Sequence, residues 1–444
     1  MAFAFPRVAI IGGSGAFGSW YARFFKSKGG SVVVCSRSAG GADVAKAIGA
    51  DFSTDAKDAC ASADLVIVSV PIDAVPAALK EASASAKKGS LLIDFASVKK
   101  NAVSALAEIS KTRPDLELAS VHPMHGPRAE SVDGVAVVFI PVTAGAKCTE
   151  LKKIFESEGA RVVESTADEH DSVLSVVQGL THFACMAHAA AMRDAGTDVA
   201  RAREFASPLF EVFLGAVGRV VLQNPDVYAK IQVENPLNAR MRELFVKGAR
   251  ELSAIADKGD AQALAKKIRD AGKSFKSAEE VLFESDKATS AMDAEARQLR
   301  LLAGKKVALE NVQAKAVHYG TLKEAKAGAV VLLENSKPVR LNLSNVRLLG
   351  KAEFSQWRNR HLKKKSRDYS VVVPQNADNG AVASVIAATG GVENAFVAGS
   401  FEGSQVGAGK KSVTIRCEFF EDEDARAIDA DVKKIISGLG FSLR

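Results

Sequence analysis

The sequence lacks the features that mark secreted, zinc-binding and membrane proteins. Its five cysteines are an odd number spread over 444 residues, and no two of them form a C-x-x-C pair. That pattern argues against a disulfide framework or a zinc ribbon, and it predicts reduced thiols that pack as small apolar groups. No apolar run approaches the length of a membrane span, and the first residues lack the basic lead and apolar stretch of a signal peptide. We therefore expect a cytoplasmic protein without membrane contact.

The composition is otherwise that of a soluble globular protein, with 47% hydrophobic and 25% charged residues. A chain of 444 residues is too long for one hydrophobic core, so three or more units are expected. The net charge of +7 is unevenly distributed. Residues 301–370 hold 15 Lys and Arg against 5 Asp and Glu, so the basic character is local and requires a local explanation.

Four segments of the chain differ in pattern. Residues 1–165 alternate apolar strands with helices, which predicts an α/β Rossmann domain built on a parallel sheet with both faces covered. Residues 166–285 show no strand pattern and predict an all-α domain. Residues 286–368 predict a helix, a small β-rich stretch with a hairpin turn at 335–338, and a basic connector. Residues 369–444 follow the order βαββαβ, which is that of an α+β ferredoxin-like fold.

A glycine-rich turn follows the first predicted strand and opens a helix. Its glycines form G-x-G-x-x-G: the first permits a tight turn, the second a close approach of the backbone to a pyrophosphate, and the third close packing of helix on strand. The position between strand and helix predicts a dinucleotide site rather than a plain glycine turn. The residues predicted to bind the cofactor are Gly13, Ser14, Gly15, Ala16, Phe17, Gly18, Ser36, Arg37, Ser38, Val70 and Pro71.

The end of the second predicted strand selects the nucleotide. An NAD enzyme usually has a carboxylate there, which binds the ribose 2′-hydroxyl, but this strand leads into Ser36, Arg37 and Ser38. An arginine and two hydroxyls suit a 2′-phosphate, so NADP is the expected cofactor. A solvated arginine with relaxed use of NAD is the alternative.

Polar residues follow two later strands, at the edge where the carboxyl ends of parallel strands face a ligand. Ser97 is placed for a substrate hydrogen bond, although its spacing suits the N-cap of the next helix equally well. His122 and His125 lie in a predicted stiff loop with two prolines and a glycine. A neutral histidine there can accept a proton from a substrate hydroxyl. A metal pair is disfavoured because no further ligands occur at suitable spacing, and we expect no bound metal.

Motifs within residues 7–285 resemble those of one enzyme family. The loop His122-Pro123-Met124-x-Gly126-Pro127 resembles the signature loop of prephenate dehydrogenases. The start of that family's substrate helix is similar to Glu169-His170-Asp171 and Val177-Gln178-Gly179-Leu180-Thr181-His182-Phe183. Its next segment is similar to Ser207-Pro208-Leu209-Phe210, Val217-Gly218-Arg219 and Gln223-Asn224-Pro225-Asp226-Val227-Tyr228. Five motifs in the family's order are far more specific than a glycine loop alone.

The resemblance implies an NADP enzyme that oxidises and decarboxylates prephenate to 4-hydroxyphenylpyruvate, the precursor of tyrosine. It implies that His122 takes the hydroxyl proton and that Ser97 is its partner. It also implies that Arg219 binds the pyruvyl carboxylate, for which a planar guanidinium is suited, and that His182 lies in the substrate pocket. Finally, it implies a homodimer formed through the helical domain.

The ring carboxylate of prephenate leaves as carbon dioxide. A strong ion pair to it would stabilise the ground state more than the transition state, so we expect one firm arginine clamp and a looser second site. Lys99 and Arg128 are the expected nearby charges, although each also suits an ordinary surface cation. Gln178 is expected to contact the substrate, and His170 to cap the substrate helix.

Two other classes of function remain open. An arogenate dehydrogenase or an NADP-dependent imine reductase has a similar build. A pocket acid facing the ammonium group of arogenate would favour the former, and an imine reductase would not need His122. The basic segment favours a non-enzymatic NADP-sensing or RNA-binding protein, but the presence of Ser97, His122, His182 and Arg219 argues against it.

Nothing in the enzyme hypothesis requires the residues beyond about 290. The βαββαβ segment suits a regulatory module that binds an amino acid such as tyrosine. It also resembles the ferredoxin-fold anticodon-binding domain of phenylalanyl-tRNA synthetase, in 411–416 and 440–444. The preceding basic connector, 351–367, contains Trp357 among cations and suits contacts with an RNA backbone and stacking. The third hypothesis is a solvated linker followed by a domain that only stabilises the dimer.

Overall fold

Short apolar segments near the start of the chain form one eight-stranded sheet in the computed structural model, which describes residues 4–38, 40–275, 277–312, 314–326 and 328–444. The sheet lies in the first of two units, Met1–Leu282 and Phe283–Arg444. Its strands are β1 (Arg7–Ile11), β2 (Ser31–Cys35), β3 (Asp51–Ser53), β4 (Leu65–Val68), β5 (Leu91–Asp94), β6 (Glu117–Pro123), β7 (Ala136–Thr143) and β8 (Arg161–Glu164). The accompanying helices are α1 (Ala16–Ser27), α2 (Gly41–Ile48), α3 (Ala56–Cys60), α4 (Val75–Ser85), α5 (Lys100–Thr112) and α6 (Ala146–Ser157).

The order of these strands is β3-β2-β1-β4-β5-β6-β7-β8, so the chain order reverses between β1 and β4. The strands from β1 to β6 pair in parallel, as the near-continuous apolar sequences of β1, β2, β4, β5 and β6 predict. The prediction of a parallel sheet is wrong for β7, which runs antiparallel to β6. No helix lies between these two strands, and a parallel pairing needs such a crossover. Ligands of open sheets bind beyond the strand carboxyl ends at the reversal.

Strand β6 extends further than predicted. It continues through His122 and Pro123, which pair with Val138 and Val137 of β7. The expectation that these two residues belong to a loop is therefore wrong. Their backbone is fixed by the antiparallel neighbour, which the apolar pattern of β6 alone did not indicate. A regular strand thus holds His122 at the carboxyl edge of the sheet.

The rest of the first unit is helical. As predicted, the described residues between 166 and 285 form helices and no strand. Asn224 caps one helix with its side chain, and Asn235 ends the same helix. The helices are α7 (Ala167–Leu174), α8 (Thr181–Asp194), α9 (Val199–Arg203), α10 (Pro208–Val221), α11 (Pro225–Glu234), α12 (Asn238–Asp257), α13 (Ala261–Gly272) and α14 (Ala278–Leu301), the last of which continues into the second unit.

Helices α7 and α8 join through a π-helical turn, Ser175–Leu180, into one continuous helix, Ala167–Asp194. By length and composition this helix could cross a membrane, so the expectation that no apolar run approaches that length is wrong. Core helices of soluble proteins pass the same test. In this helix 22% of the apolar window is buried, and His170 and Asp171 near its start are buried and bonded to other side chains and to backbone amides.

The second unit begins with a small antiparallel sheet. Its strands are β9 (Lys306–Asn311), β10 (Val317–Lys326), β11 (Ala329–Glu334), β12 (Lys337–Asn342) and β13 (Val346–Leu348), in the order β12-β11-β10-β9-β13. The predicted hairpin turn is confirmed. Asn335 and Ser336 join paired residues Glu334 and Lys337, and both have positive φ, 48° and 67°, as a two-residue hairpin requires.

The segment predicted as a basic connector is not a linker. It forms a helix, α15 (Lys351–His361), and the first part of a long strand, β14 (Lys364–Pro374). Glu353 accepts a hydrogen bond from the backbone amide of Gly350 and so caps the helix. The indole of Trp357 stacks on the ring of His361 at 4.7 Å. High local charge hid both elements because the solvent-facing cations interrupt the apolar pattern.

The last segment has the predicted order of strand, helix, strand, strand, helix, strand. After β14 come α16 (Asn379–Ala387), β15 (Asn394–Phe401), β16 (Lys410–Phe420), α17 (Ala425–Gly438) and β17 (Ser442–Leu443). The sheet order is β15-β16-β14-β17, and every pairing is antiparallel. Val371, Ile415 and Phe419 of the sheet pack with Ile386 and Val432 of the two helices in one apolar core.

Candidate active site

In the turn between β1 and α1, neighbouring backbone atoms occupy the space that side chains at the glycine positions would need. A Cβ atom on Gly13 would lie 2.8 Å from the carbonyl oxygen of Ile10, and one on Gly18 would lie 2.5 Å from that of Gly12. Helix α1 begins at Ala16, and no described side chain caps its first turn. Its first backbone amides are therefore available to an anion, as in dinucleotide sites.

Hydroxyl groups connect this turn to the end of β2. The Ser14 hydroxyl donates to Ser36 Oγ at 2.6 Å, and the backbone amide of Ser38 donates to the same oxygen at 3.1 Å. The side chain of Arg37 is exposed beside them. The geometry fits a dinucleotide whose ribose lies at the end of β2, where hydroxyls and a guanidinium take the place of the usual carboxylate.

The loop after β4 forms the opposite side of the turn. A Cβ atom on Gly12 would lie 3.0 Å from Val70 Cγ1, so this loop packs directly on the glycines. Pro71 is exposed and precedes a 3-10 turn in which Asp73 accepts a hydrogen bond from Lys230 of α11. An ion pair therefore joins the predicted cofactor loop to the helical part of the same unit.

The ring of Phe17 connects the start of α1 with the later strand ends. Its centroid lies 5.9 Å from that of Phe95, which follows β5, and 5.2 Å from the ring of His125, which follows β6. Parallel neighbours carry their carboxyl ends at one edge. The glycine turn, Val70 and Ser97 therefore follow β1, β4 and β5, and His122 lies near the end of β6 in the same row.

His122 is buried and takes part in a chain of three side chains. Its Nδ1 lies 2.9 Å from Nε2 of His170, and Nδ1 of His170 lies 2.8 Å from Oδ1 of Asp171. The Asp171 carboxylate also accepts the backbone amides of Lys99 and Lys100 at 2.9 and 3.0 Å. His170 was expected to cap its helix, but Thr166 does so. The sequence did not reveal that His122 and His170, which are 48 residues apart, lie side by side.

The alternative that Lys99 is an ordinary surface cation is wrong. Its side chain is fully buried, and Nζ donates to Asp94 Oδ1 at 3.0 Å and to the carbonyl oxygen of Val121 at 2.9 Å. Both acceptors lie inside the protein, so these two hydrogen bonds of the Lys99 ammonium do not direct a donor at a ligand. Arg128, the other predicted cation, is exposed.

Ser97 is half-buried between β5 and α5. The alternative role as an N-cap does not hold, because Lys99 occupies the cap position of α5 and uses no side-chain bond there. Among the described residues, no side chain forms a hydrogen bond with the Ser97 hydroxyl. That hydroxyl is therefore available to a ligand at the carboxyl edge of β5.

His125 is engaged elsewhere and does not pair with His122. Its Nε2 lies 2.8 Å from the Tyr21 hydroxyl, and its Nδ1 lies 3.0 Å from the carbonyl oxygen of Gly126. Within the described ranges, no three His, Cys, Asp or Glu side chains form a group that could hold a metal ion. The two histidines of this motif thus have separate environments.

A second group of predicted residues lies on α8, α10 and α11. The ring of His182 packs edge-on against Tyr228 at 4.9 Å, and the Tyr228 hydroxyl donates to the carbonyl oxygen of Arg219 at 3.1 Å. His182 Nδ1 and Gln178 Oε1 are buried without a hydrogen-bond partner among the described residues. Buried polar atoms are normally satisfied, so a ligand or water is expected at both.

The π-helical turn determines how this group faces the first one. His170 and His182 are twelve residues apart on one helix, which is about 18 Å along its axis and, for a regular α-helix, roughly 120° away from a common face. A π turn contains about one residue more than an α turn, so it reduces the difference to roughly 20°. The turn therefore directs His170 and His182 to the same side.

Burial determines the protonation of the histidines. It lowers the pKa of His122 well below its ordinary value, and the nearby Lys99 ammonium lowers that pKa further. Burial also lowers the pKa of His170 and of His182. For Asp171 burial acts in the opposite direction, but the hydrogen bonds from His170 and the backbone amides leave its pKa below the ordinary value. At neutral pH the hydrogen-bonded chain therefore consists of two neutral imidazoles, His122 and His170, and the Asp171 carboxylate anion.

Comparison with known proteins identifies the family. Two family models match the first unit: "Prephenate dehydrogenase, nucleotide-binding domain" over residues 21–164, and "Prephenate dehydrogenase, dimerization domain" over residues 166–270. The probable arogenate/prephenate dehydrogenase of Methanocaldococcus jannaschii is 32% identical over 438 residues, which cover 98% of this chain and 97% of that protein. The chain belongs to the prephenate dehydrogenase family. It is thus an NAD(P)-dependent oxidoreductase of tyrosine biosynthesis.

Other members of the prephenate dehydrogenase family match the first part of the chain. The 4-amino-4-deoxyprephenate dehydrogenase of Streptomyces pristinaespiralis is 29% identical over 265 residues, 59% of this chain and 88% of that protein. A crystal structure of the A. aeolicus prephenate dehydrogenase, in complex with hydroxyphenyl propionate and NAD+, is 20% identical, covers 60% of this chain and 96% of that one, and has a TM-score of 0.48. The M. jannaschii relative also extends over the second unit.

A prephenate dehydrogenase requires a nicotinamide cofactor, and the glycine turn fits one. The matched nucleotide-binding residues begin at residue 21, after that turn, so its assignment depends on geometry. The backbone contacts of Gly13 and Gly18 leave no room for side chains in the tight turn and where the helix packs on the strand, as a dinucleotide-binding turn requires. Ser14, Ser36 and the start of α1 supply hydroxyl and amide donors at the same edge.

Proposed function

We propose that this member of the family is a prephenate dehydrogenase that uses NADP and forms 4-hydroxyphenylpyruvate and carbon dioxide. The observation that carries the proposal is the buried, neutral His122 at the carboxyl edge of β6, in one row with the glycine turn after β1. A neutral imidazole at that edge is a base suited to a substrate hydroxyl. This edge is also where open sheets bind their ligands.

The chemistry follows from the groups of prephenate. Bound at the glycine turn, the nicotinamide supplies the acceptor for the hydride of the carbinol carbon. His122 accepts the hydroxyl proton through Nε2, the ring nitrogen that is not bonded to His170, while the carbon–oxygen double bond forms. Loss of carbon dioxide then leaves a phenolate oxygen, and His122 returns the proton to it. His122 is neutral again at the end of the reaction, and formation of the aromatic ring drives the reaction forward.

Four further residues complete the proposed substrate site. The free hydroxyl of Ser97 holds the substrate hydroxyl beside His122. Arg219 binds the pyruvyl carboxylate with its planar guanidinium. His182 and Gln178 contribute the buried atoms that lack partners among the described residues, Nδ1 and Oε1, which a bound ligand would satisfy.

The ring carboxylate is proposed to be held loosely. With Lys99 committed to Asp94, the remaining candidate cation is the exposed Arg128. A solvent-exposed cation attracts a carboxylate weakly, because water screens the interaction. Weak attraction suits a group that must leave, since tight binding would lower the energy of the ground state and slow the reaction.

The preference for NADP is proposed from the end of β2. Arg37 and the hydroxyls of Ser36 and Ser38 are suited to a 2′-phosphate. The Arg37→Ala variant should raise the KM for NADP by at least about tenfold and leave the KM for NAD unchanged, since one charge-assisted hydrogen bond contributes about 1.5–3 kcal/mol. Equal loss with both cofactors would exclude this role.

Arogenate is the alternative substrate. The M. jannaschii relative carries both substrates in its name. Arogenate has an ammonium group beside its side-chain carboxylate, so it would require an acceptor close to Arg219. No acidic residue of the matching motifs forces such a role by its position in the sequence, so prephenate is kept as the proposed substrate.

We propose a cytoplasmic homodimer formed through the helical domain. The matched dimerization domain supports this, and so do large apolar side chains left exposed in the helical domain, such as Phe205 at 74%, Leu222 at 83% and Val233 at 76%. Sedimentation of the purified chain tests the proposal. A monomer at micromolar concentration would exclude it.

For the last segment we propose a ferredoxin-like fold, supported by its element order and antiparallel sheet. Its proposed partner is RNA, supported by the exposed run Lys363–Lys364–Lys365 and the stacked Trp357 and His361. Filter binding of the full chain to RNA at several salt concentrations tests this. Inhibition by tyrosine without RNA binding would instead indicate an amino-acid effector. If the chain neither binds RNA nor is inhibited by tyrosine, the remaining role of the segment is structural.

One assay tests the enzymatic proposal. The purified chain is mixed with prephenate or arogenate and with NADP or NAD, and reduced cofactor is followed by absorbance. Turnover with prephenate and NADP, with 4-hydroxyphenylpyruvate as product, is expected and should be lost in His122→Asn but kept in His361→Asn, whose ring is exposed in the second unit. Absence of turnover with both substrates would exclude the proposal.

A further inference from the structure

We propose that His170 and Asp171 are positioning residues that fix the tautomer of His122, so that Nε2 is the nitrogen that receives the substrate's proton. This inference rests on the proposed function, in which His122 is the base. The observation behind it is a continuous hydrogen-bonded chain. His122 Nδ1 lies 2.9 Å from His170 Nε2, and His170 Nδ1 lies 2.8 Å from Asp171 Oδ1.

The direction of the hydrogen bonds follows from the end of the chain. An ionised carboxylate only accepts, so the proton between Asp171 and His170 belongs to His170 Nδ1. A neutral imidazole carries one N–H, so Nε2 of His170 is an acceptor. His122 must then donate through its own Nδ1–H. Its one remaining nitrogen, Nε2, has a free lone pair, which is the state required of a base.

The carboxylate that sets this direction is itself held in place. Asp171 accepts the backbone amides of Lys99 and Lys100, and its own carbonyl oxygen accepts the side-chain amide of Asn235 at 2.8 Å. The Lys99 side chain binds the carbonyl oxygen of Val121, the residue before His122. One short segment therefore anchors both the anion and the strand that carries the base.

The same chain stabilises the protonated base. When His122 takes the hydroxyl proton, its Nδ1–H remains bonded to His170, which is in turn bonded to the Asp171 anion. Burial, and the nearby charges of Lys99, His170 and His125, oppose a positive charge on His122 and so lower its pKa. Asp171 thus offsets them and keeps the cation accessible as an intermediate without making it the resting state.

The arrangement also connects two parts of the first unit. His122 belongs to the eight-stranded sheet, whereas His170 and Asp171 belong to the continuous helix Ala167–Asp194. The base has its correct tautomer only when that helix is packed on the sheet edge. The helix that carries His182 toward the substrate therefore also prepares the base.

The test begins with the tautomer itself. The full chain is labelled with 15N-histidine, and long-range proton–nitrogen spectra are recorded at neutral pH. The chain has seven histidines, and the His122→Gln variant assigns the signal of interest. The expected result is His122 protonated on Nδ1. Protonation on Nε2 would overturn the inference whether or not the chain turns over prephenate.

Kinetics of matched variants supply the second readout. In His170→Leu, His122 loses its acceptor, so kcat should fall about 100-fold or more while KM and cofactor affinity change little. His170→Gln offers a side-chain carbonyl to the same N–H and should keep kcat within about tenfold of the natural chain. His361→Leu is the control. An unchanged kcat in His170→Leu would overturn the inference.

The pH profile separates positioning from a merely structural role. Asp171→Asn removes the negative charge that favours protonated His122, so the acidic limb of kcat/KM should move to lower pH while the plateau falls. General loss of folded protein would lower the plateau and leave the limb in place. Absence of turnover in the natural chain would sink the proposed function alone, because the spectra still determine the tautomer.

Discussion

Lys99 and Asp94 form an ion pair in which neither side chain is exposed to solvent, with 3.0 Å between Nζ and Oδ1. Burial lowers the pKa of Lys99, and the Asp94 carboxylate opposes that shift. The other polar atoms are also occupied: Lys99 binds Val121, and Asp94 accepts the Ser120 hydroxyl and the amide of Ala96. Such pairs stabilise a fold only while both charges remain.

Removal of one partner should therefore destabilise the first unit strongly. Asp94→Ala leaves a buried ammonium without its counter-ion, and the expected loss in free energy of unfolding is about 3–5 kcal/mol. Calorimetric unfolding at neutral pH measures it. The double variant Asp94→Ala/Lys99→Met should lose less than Asp94→Ala alone, because it buries no unpaired charge.

The matched control is an ion pair on the surface. Lys111 and Glu108 lie 2.7 Å apart with both side chains more than half exposed. Lys111→Met should change the free energy of unfolding by less than about 1 kcal/mol. Equal effects of Asp94→Ala and Lys111→Met would show that burial does not govern the first pair.

The glycine turn gives a prediction about cofactor binding. In Gly18→Ala the new Cβ would lie 2.5 Å from the carbonyl oxygen of Gly12, and backbone cannot yield as a flexible side chain does. The helix must move away from the strand, so cofactor affinity should fall at least about tenfold, the equivalent of about 1.4 kcal/mol. Fluorescence titration with reduced cofactor measures it. Gly438→Ala, where nothing lies within 4 Å, should bind normally.

Arg219 gives a prediction about the substrate. If its guanidinium binds the pyruvyl carboxylate, Arg219→Ala should raise KM at least about tenfold, since a hydrogen bond to a charged group contributes about 1.5–3 kcal/mol. Arg219→Lys should recover part of the loss, because it keeps the charge but not the fork. Arg193, exposed on α8 beside Asp194, is the control. An effect on kcat alone would place Arg219 elsewhere in the mechanism.

Local signals in the sequence predicted much of the fold. The apolar strands β1, β2, β4, β5 and β6, the helical segment after residue 166 and the hairpin at Asn335 and Ser336 all follow from periodicity or turn chemistry. The antiparallel β7 was not predicted, because pairing direction depends on the connection between strands rather than on the residues within them. The basic helix α15 was missed because it has no apolar face.

The site was predicted less completely, and the reason is physical. Each motif showed a residue type suited to a task, such as His122 as a base. Contacts across long separations were not visible, including His122 with His170 and Lys99 with Asp171. The Glu169-His170-Asp171 motif was the available signal, but a helix cap was the explanation that the sequence favoured. Lys99 looked like a surface cation because sequence does not reveal that its loop is buried.

Stability should decrease as the medium becomes mildly acidic. Burial lowers the pKa of His122, His125, His170 and His182 in the folded chain. Below the ordinary histidine pKa of about 6.5, the unfolded chain therefore binds protons that the folded chain refuses, and the free energy of unfolding falls with pH. That stability is complete above about pH 7 and is lost as the pH falls below about 6.5.

Thermal unfolding between about pH 7.5 and 5.5 measures this loss before carboxylates with an ordinary pKa near 4 begin to titrate. The midpoint of the first unit should decline steadily over this range. The double variant His122→Gln/His170→Gln lacks two of the four groups, so its decline should be shallower even if its stability at pH 7.5 is lower. If the unfolding midpoint of the double variant declined with pH as steeply as that of the natural chain, these two buried rings would have to take up protons without unfolding. Their burial and the charge of Lys99 oppose such protonation.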